Sequence, residues 1–299
     1  MTTPRELQAL YAQGVNITAH LRQEFGVSGN TAEIIEVAYD LQAGSYIAAL
    51  TEGGHAARQA GYTAEIARVI RSLCEPLAIL EAGVGEATTL SGVATGLGGN
   101  VSAWGFDLSW SRVALGARWL AAQGVAQARL CTGDLLHIPF ADSAVDVVYT
   151  SHSIEPNGGR EAVILRELYR VAGKFLVLLE PGFELAGEEA RQRMLAHGYC
   201  RDLPATAAAL GFEVIAHQLF PFASNPLNPT ALTVIRKREG PRPAHVFACP
   251  RFKTPLEEVA GGLFSPEGLV VYPVLGGIPC LRIENGILAS KARDVCPTR

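Results

Sequence analysis

The sequence predicts an α/β protein. It has a seven-stranded, mostly parallel sheet with one antiparallel strand, an N-terminal helical cap and a small β-rich C-terminal module. Two observations predict this. Between residues 61 and 238, short apolar runs alternate with segments of helical apolar period, the pattern of a parallel sheet covered on both faces. The last two apolar runs are joined by LFPFASNPLNPT with no helix between them, which predicts a closing hairpin.

The elements follow in order. In the first region, residues 1–60, Asn30-Thr31 can cap a helix whose face carries Ile34, Ile35, Val37, Ala38 and Leu41, and Gly44 is placed to stop it. In the second, 61–238, strands are expected at 78–81, 101–107, 128–132, 145–151, 174–180, 213–219 and 232–236. Helices are expected at 64–73, 88–97, 111–123, 160–171, 188–196 and 204–210. The charged, Pro- and Gly-rich stretch Lys237-Arg238-Glu239-Gly240-Pro241-Arg242-Pro243 reads as a linker. The third region, 244–291, has short strand-like runs, many turn residues and little helical period.

Composition narrows the class. At 299 residues, 48% of them apolar and 18% charged, the chain has ample material for a core. A net charge of -4 gives no clear nucleic-acid footprint and no attraction to an anionic membrane. No apolar run approaches the ~18 residues of a membrane span, and the N-terminus lacks the pattern of a signal peptide. The six cysteines never form a C-x-x-C pair and read as reduced thiols, so a cytoplasmic location is expected. A homo-oligomer is left open.

The most telling stretch is LEAGVGEATTL, 80–90, then GFDLS with Asp107 and Leu108, then TGDLLHIPF with Asp134 and Leu135. Glycine lets backbone approach a ligand closely, and an acid at a strand's end can accept hydrogen bonds from ribose hydroxyls. Three such features in order describe a nucleoside-shaped cofactor lying across a parallel sheet. A dinucleotide site is the nearest rival: Asp107 lies 22 residues after Gly85, which suits either, but Thr88 stands where a third glycine would be required.

At Glu81-Ala82-Gly83-Val84-Gly85-Glu86-Ala87 the chain resembles the Rossmann-like (class I) S-adenosylmethionine-dependent methyltransferases, over roughly residues 61–237. Ala87 replaces their third glycine. The resemblance implies S-adenosyl-L-methionine as cofactor, with Glu81, Gly83 and Gly85 under its methionine part and ribose. It implies that Asp107 binds both ribose hydroxyls and that Asp134-Leu135 meets adenine. The fourth motif is matched by Asp146-Val147-Val148, leading to Ser151-His152.

Methyl transfer from a sulfonium needs little acid–base help, because the leaving group is already activated; alignment supplies most of the acceleration. The acceptor should meet the methyl just after the fourth strand, at Ser151-His152-Ser153-Ile154-Glu155-Pro156-Asn157. His152 is the best base candidate there, with Glu155 to orient it or the acceptor; the alternative is that His152 only caps the strand or touches the cofactor. The segment is not Asn-Pro-Pro-Tyr, which lowers the expectation of nucleobase N-methylation. Tyr11, Asn16, Tyr39 and Tyr46 are candidates for a lid, with Tyr46 on the cofactor. Trp104, Trp110 and Trp119 read as packing residues. Arg112 could lie near adenine, but a solvated helix position is expected.

The tail, 249–281, resembles the small zinc-ribbon-like proteins that activate tRNA, rRNA and release-factor methyltransferases. Cys249-Pro250, Lys253, Pro255-Leu256, Tyr272-Pro273-Val274 and Gly277-Ile278-Pro279 match their pattern. Phe252 stands in place of the second cysteine. Cys249, Cys280 and His245 do not make a four-ligand zinc site, so no metal is expected, with packing around Phe252 taking its place. The expected function is methyl transfer to an oxygen or nitrogen of a small-molecule acceptor. Methylation of RNA or protein, and a non-catalytic cofactor-binding scaffold, are the alternatives.

Overall fold

The computed structural model describes residues 2–125, 127–222, 225–238 and 240–296. Ala223 and Ser224 of the hairpin connection, and Glu239 of the linker, lie outside the described residues.

Five helices come first: α1 (Pro4–Ala12), α2 (Ile17–Phe25), α3 (Ala32–Asp40), α4 (Ser45–Thr51) and α5 (Ala56–Leu73). Thr3 and Glu6 form a capping box on α1. Thr31 caps α3, accepting from the Ile34 N–H at 3.2 Å. Gly44 was expected to end this helix, but α3 already stops at Asp40. Gly44, in the left-handed region at φ 98°, instead turns the chain into α4.

The sheet alternates as expected: β1 (Ala78–Ala82), α6 (Thr88–Leu97), β2 (Ser102–Asp107), α7 (Trp110–Ala122), β3 (Arg129–Thr132), β4 (Val145–Ser151), α8 (Glu161–Val171), β5 (Ala172–Pro181), α9 (Glu188–His197), α10 (Leu203–Ala209), β6 (Glu213–Leu219) and β7 (Thr230–Arg236). Strand order is β3-β2-β1-β4-β5-β7-β6, with β7 antiparallel to both neighbours. Every residue of β1 is buried because both faces are covered. Leu80, Phe106 and Val148 pack on one side; Ile79, Val147 and Tyr149 pack on the other. The order reverses between β1 and β4, which opens a crevice at their carboxyl ends.

The tail folds into β8 (Glu257–Val259), β9 (Gly262–Ser265), β10 (Val270–Leu275), β11 (Ile278–Pro279), β12 (Ile287–Leu288) and α11 (Ala292–Val295). It closes the free β3 edge: Cys280 bridges Thr132 in parallel, and Phe247 bridges Phe140. Phe247 meets Trp104 and Phe140 edge-on at 5.4 and 5.3 Å. Lys253 reaches Glu167 at 2.6 Å, and Arg282 pairs with Glu36 of α3. The expectation for Phe252 fails: it is 45% exposed, while Cys249, Tyr272 and Leu281 are the residues buried in the shared core. Chain direction explains this, because the turn after Cys249 carries Lys253 in to Glu167 and leaves Phe252 outward. Among the described residues, no group of three or more His, Cys, Asp or Glu is placed to hold a metal ion. No helix among them is long and apolar enough to cross a membrane.

Candidate active site

A cavity of about 590 Å³ opens at the carboxyl ends of β1 and β4, within the usual range for small-molecule sites. Glu81, Gly83, Gly85, Asp107, Leu108, Asp134 and Leu135 line one half. Ser151, His152 and Glu155 line the other, and Tyr46 lies among the lining residues of the helical cap. Among the described residues, none of the lining comes from the C-terminal module.

On the first side the glycines carry the loop. Gly83 and Gly85 have φ of 78° and 51°. A Cβ on Gly83 would collide with Ser153, and one on Gly85 would lie 2.5 Å from Nη2 of Arg112. Ala87 also takes positive φ, 55°, at a cost of ~1–2 kcal/mol that glycine would avoid. The Asp107 carboxylate accepts from the Gly85 and Ser109 N–H groups at 2.9 and 3.0 Å. Asp134 accepts from the Leu136 N–H at 2.9 Å. Glu81 is 2% exposed; burial, with the Asp107 charge adding to it, pushes its carboxyl up to about 8, even though the Tyr149 hydroxyl donates to it at 2.9 Å.

On the second side a polar network holds the loop after β4. His152 has φ 56°. Its Nδ1 lies 2.5 Å from Glu155 and its Nε2 lies 2.8 Å from the Thr230 hydroxyl. Burial opposes the imidazolium, but the Glu155 hydrogen bond and charge outweigh it and hold His152 above its ordinary value. Burial likewise opposes the Glu155 carboxylate, and His152, Tyr199 and Asn228 outweigh it, holding the group below its ordinary value. The two thus form an ion pair whose ring nitrogens are both engaged. Such a histidine holds a proton in place; it would have to release it before acting as a base. Ser151 shares a 2.8 Å hydrogen bond with Tyr62 of α5.

Beneath this loop lies Glu180, at the end of β5 and 1% exposed. It accepts from the N–H groups of Ser153, Ile154 and Glu155 at 3.0–3.2 Å. Burial pushes it up to about 7. Ser153 in turn donates to the Ala82 carbonyl at 2.6 Å, so one buried carboxylate fixes the loop after β4 against the glycine turn.

Sequence reasoning missed several of these residues. Arg112 was expected in solvent but is 7% exposed. It is drawn in because α7 lays Gly116, one turn further along, against Glu86 and Ala87, which leaves the first turn facing the glycine loop. Its guanidinium lies over Tyr39 and Tyr46, 5.3 and 4.8 Å from the ring centroids. Glu86, given no role of its own in the sequence, accepts from the N–H groups of Gly44, Tyr46 and Ile47 at 2.8–3.4 Å. Of the four lid candidates, Tyr39 and Tyr46 line the cavity; Tyr11 is exposed and Asn16 caps α2. Trp104 packs as expected, whereas Trp110 is 36% exposed and donates to the Leu275 carbonyl at 3.3 Å.

Comparison with known proteins agrees with this geometry. Residues 79–174 match the family described as a methyltransferase domain. No curated protein matches the chain. Among solved structures, a chain from the complex of the Haloferax volcanii Trm112 methyltransferase activator with a methyltransferase superposes with a TM-score of 0.51 at 16% identity, covering 66% of this chain and 97% of that one. A Nostoc punctiforme protein described as an O-methyltransferase gives 0.50 at 16% identity, over 67% of this chain and 60% of its own. A methyltransferase from Aquifex aeolicus gives 0.49 at 15% identity, over 64% and 97%. At such identities the likeness is one of fold. The match to a methyltransferase domain covers residues 79–174, which run from β1 into β5.

Proposed function

We propose that the chain transfers a methyl group from S-adenosylmethionine to an oxygen or nitrogen of a small-molecule acceptor, mainly by proximity and alignment. The observation that carries this reading is the cavity shared by the glycine loop and the loop after β4, with Tyr39 and Tyr46 of the helical cap among its lining residues. The residues fit the donor. Gly83 and Gly85 leave a bare backbone cradle, and the Asp107 carboxylate, oriented by two N–H donors, keeps lone pairs for ribose hydroxyls. Gly133, Asp134 and Leu135 offer a polar and an apolar surface for adenine. When bound, the donor supplies a methyl group already activated on a sulfonium. The chain's part is then to align the acceptor and exclude water. In this reading Ser151, His152 and Glu155 orient the acceptor, and the His152–Glu155 pair keeps its proton through the transfer.

The C-terminal module, in the same reading, stabilises the catalytic domain in cis by closing the β3 edge. Its absence from the cavity lining supports this over a role in binding a large substrate. Calorimetry with S-adenosylmethionine and S-adenosylhomocysteine is the first test, and failure of both to bind would sink the reading. A screen of metabolite pools with radiolabelled methyl donor then identifies the acceptor; labelling confined to RNA or protein would reject the small-molecule class.

A further inference from the structure

A buried ion pair joins the C-terminal module to the helical cap. Arg282, in the segment after β11, has a side chain 9% exposed, and its guanidinium pairs with Glu36 of α3. A second acid, Glu284, lies 3.7 Å from Nε but is 62% exposed. The chain leading to Arg282 is fixed to the sheet. Cys280 bridges Thr132 at the end of β3, and the Leu281 N–H donates to the Thr132 carbonyl at 3.2 Å. Gly133 and Asp134, the next residues after Thr132, line the cavity. Arg282 is thus carried on a segment anchored to one wall of the site and reaches the helix that supplies another.

That helix, α3, gives Ile35 and Tyr39 to the cavity, one turn apart. The Tyr39 ring lies under the Arg112 guanidinium, 5.3 Å away, and Arg112 stands beside Gly85. Glu36 and Asp40 follow these two residues and form a second pair one turn apart. Asp40 accepts from the Ser109 and Ser111 hydroxyls at 2.6 and 3.1 Å, just beyond Asp107. Glu36 meets Arg282. Apolar contact does less to place α3, because Ile34 and Ala38 pack with Leu7, Ile17 and Leu21 in a core of the cap's own, separate from both cores of the sheet. A guanidinium fork on a carboxylate, largely out of water, fixes orientation as well as distance and is little screened by salt. The module has no need of this tie for its own hold, since Leu281 and Tyr272 are buried in the main core. We propose that Arg282 is a positioning residue for the donor site: through Glu36 it sets the place of α3, and with it Ile35 and Tyr39 on the cavity wall. The inference rests on the donor-site reading above and adds to it a residue that touches neither donor nor acceptor.

The test is calorimetry with S-adenosylhomocysteine on full-chain variants. Arg282→Met and Glu36→Gln should each weaken binding roughly 5- to 30-fold. Together they should weaken it no further than the larger single loss, because both remove one interaction. Arg282→Lys, which keeps the charge without the fork, should fall between wild type and Arg282→Met. Leu281→Ala, which loosens the module's core beside Arg282 but leaves the ion pair, should bind as the wild type does. Unchanged affinity in Glu36→Gln, losses that multiply in the double variant, or an equal loss in Leu281→Ala would each overturn the inference and leave the donor site standing. Should Arg282→Met fail to fold, Arg282→Lys takes its place in the double variant, and Glu36→Gln still decides by itself. No binding by the wild type would reject the donor site, and the inference with it.

Discussion

The helical cap and the C-terminal module are both appended to one sheet, but they are fastened by different chemistry. The cap is held by polar latches: Glu86 on three N–H groups, Asp40 on the Ser109 and Ser111 hydroxyls at 2.6 and 3.1 Å, and Arg112 between two tyrosines. The module is held by strand pairing, by Phe247, Tyr272 and Leu281 packed into the main core, and by two ion pairs, Lys253–Glu167 and Arg282–Glu36. Of the two, only the cap contributes to the cavity lining among the described residues. Polar latches can open and re-form at modest cost, whereas apolar burial is lost only with the core. Under the proposed function, the cap then belongs to the reaction and the module, Arg282 excepted, to the fold.

The sharpest way to break that division is at the sheet itself. Gly83→Val should abolish donor binding, at least roughly a 100-fold loss in calorimetry, since its Cβ would occupy the place of Ser153. On the module side, Leu281→Ala, at a fully buried position, should cost about 2–5 kcal/mol in denaturant unfolding and leave donor affinity intact. A matching loss of donor affinity would show that the module also shapes the site. On the cap side, Glu86→Gln should cost about 1–3 kcal/mol and raise hydrogen exchange over residues 44–47, because one carboxylate serves all three N–H groups there.

The pH dependence separates the two regions more finely. Glu81 and Glu180 have folded values of about 8 and about 7, against an ordinary 4.5, and His152 is also raised. The native state therefore binds more protons than the unfolded chain in this range. Stability should fall as pH rises from about 5 to about 8. Glu81→Gln with Glu180→Gln should flatten that slope, whereas substitutions in the module should not. A wild-type slope of the opposite sign in chemical denaturation would reject the buried, largely protonated state of these acids. The smallest effect is expected from Phe252→Ser, within about 0.5 kcal/mol, since that ring faces solvent.

Much of this was legible in the sequence because it is local. A strand, a glycine turn and an acid at the next strand's end are set by neighbours a few residues apart, so the alternation and the positions of Gly83, Gly85, Asp107 and Asp134 could be read directly. The latches could not. Glu86 meets Gly44 across 42 residues, His152 meets Thr230 across 78, and Glu180 holds Ser153 across 27. Nothing in the local pattern around Arg112 distinguishes a solvated helix position from a buried one. Phe252 misled for the same reason, because a ring in place of a metal ligand promises burial only if its turn faces inward.

By itself, then, the amino-acid sequence determined the sheet, its closing hairpin, the glycine loop and the acids at the strand ends, since apolar period and backbone preference act within each element. Only the tertiary structure decided which charges are buried, which carboxylate bears the cap, and that the module covers the β3 edge while staying out of the cavity. Burial and long-range hydrogen bonding exist only once distant elements pack together, and those same forces turned Arg112 from an expected surface residue into a buried cation over Tyr39 and Tyr46.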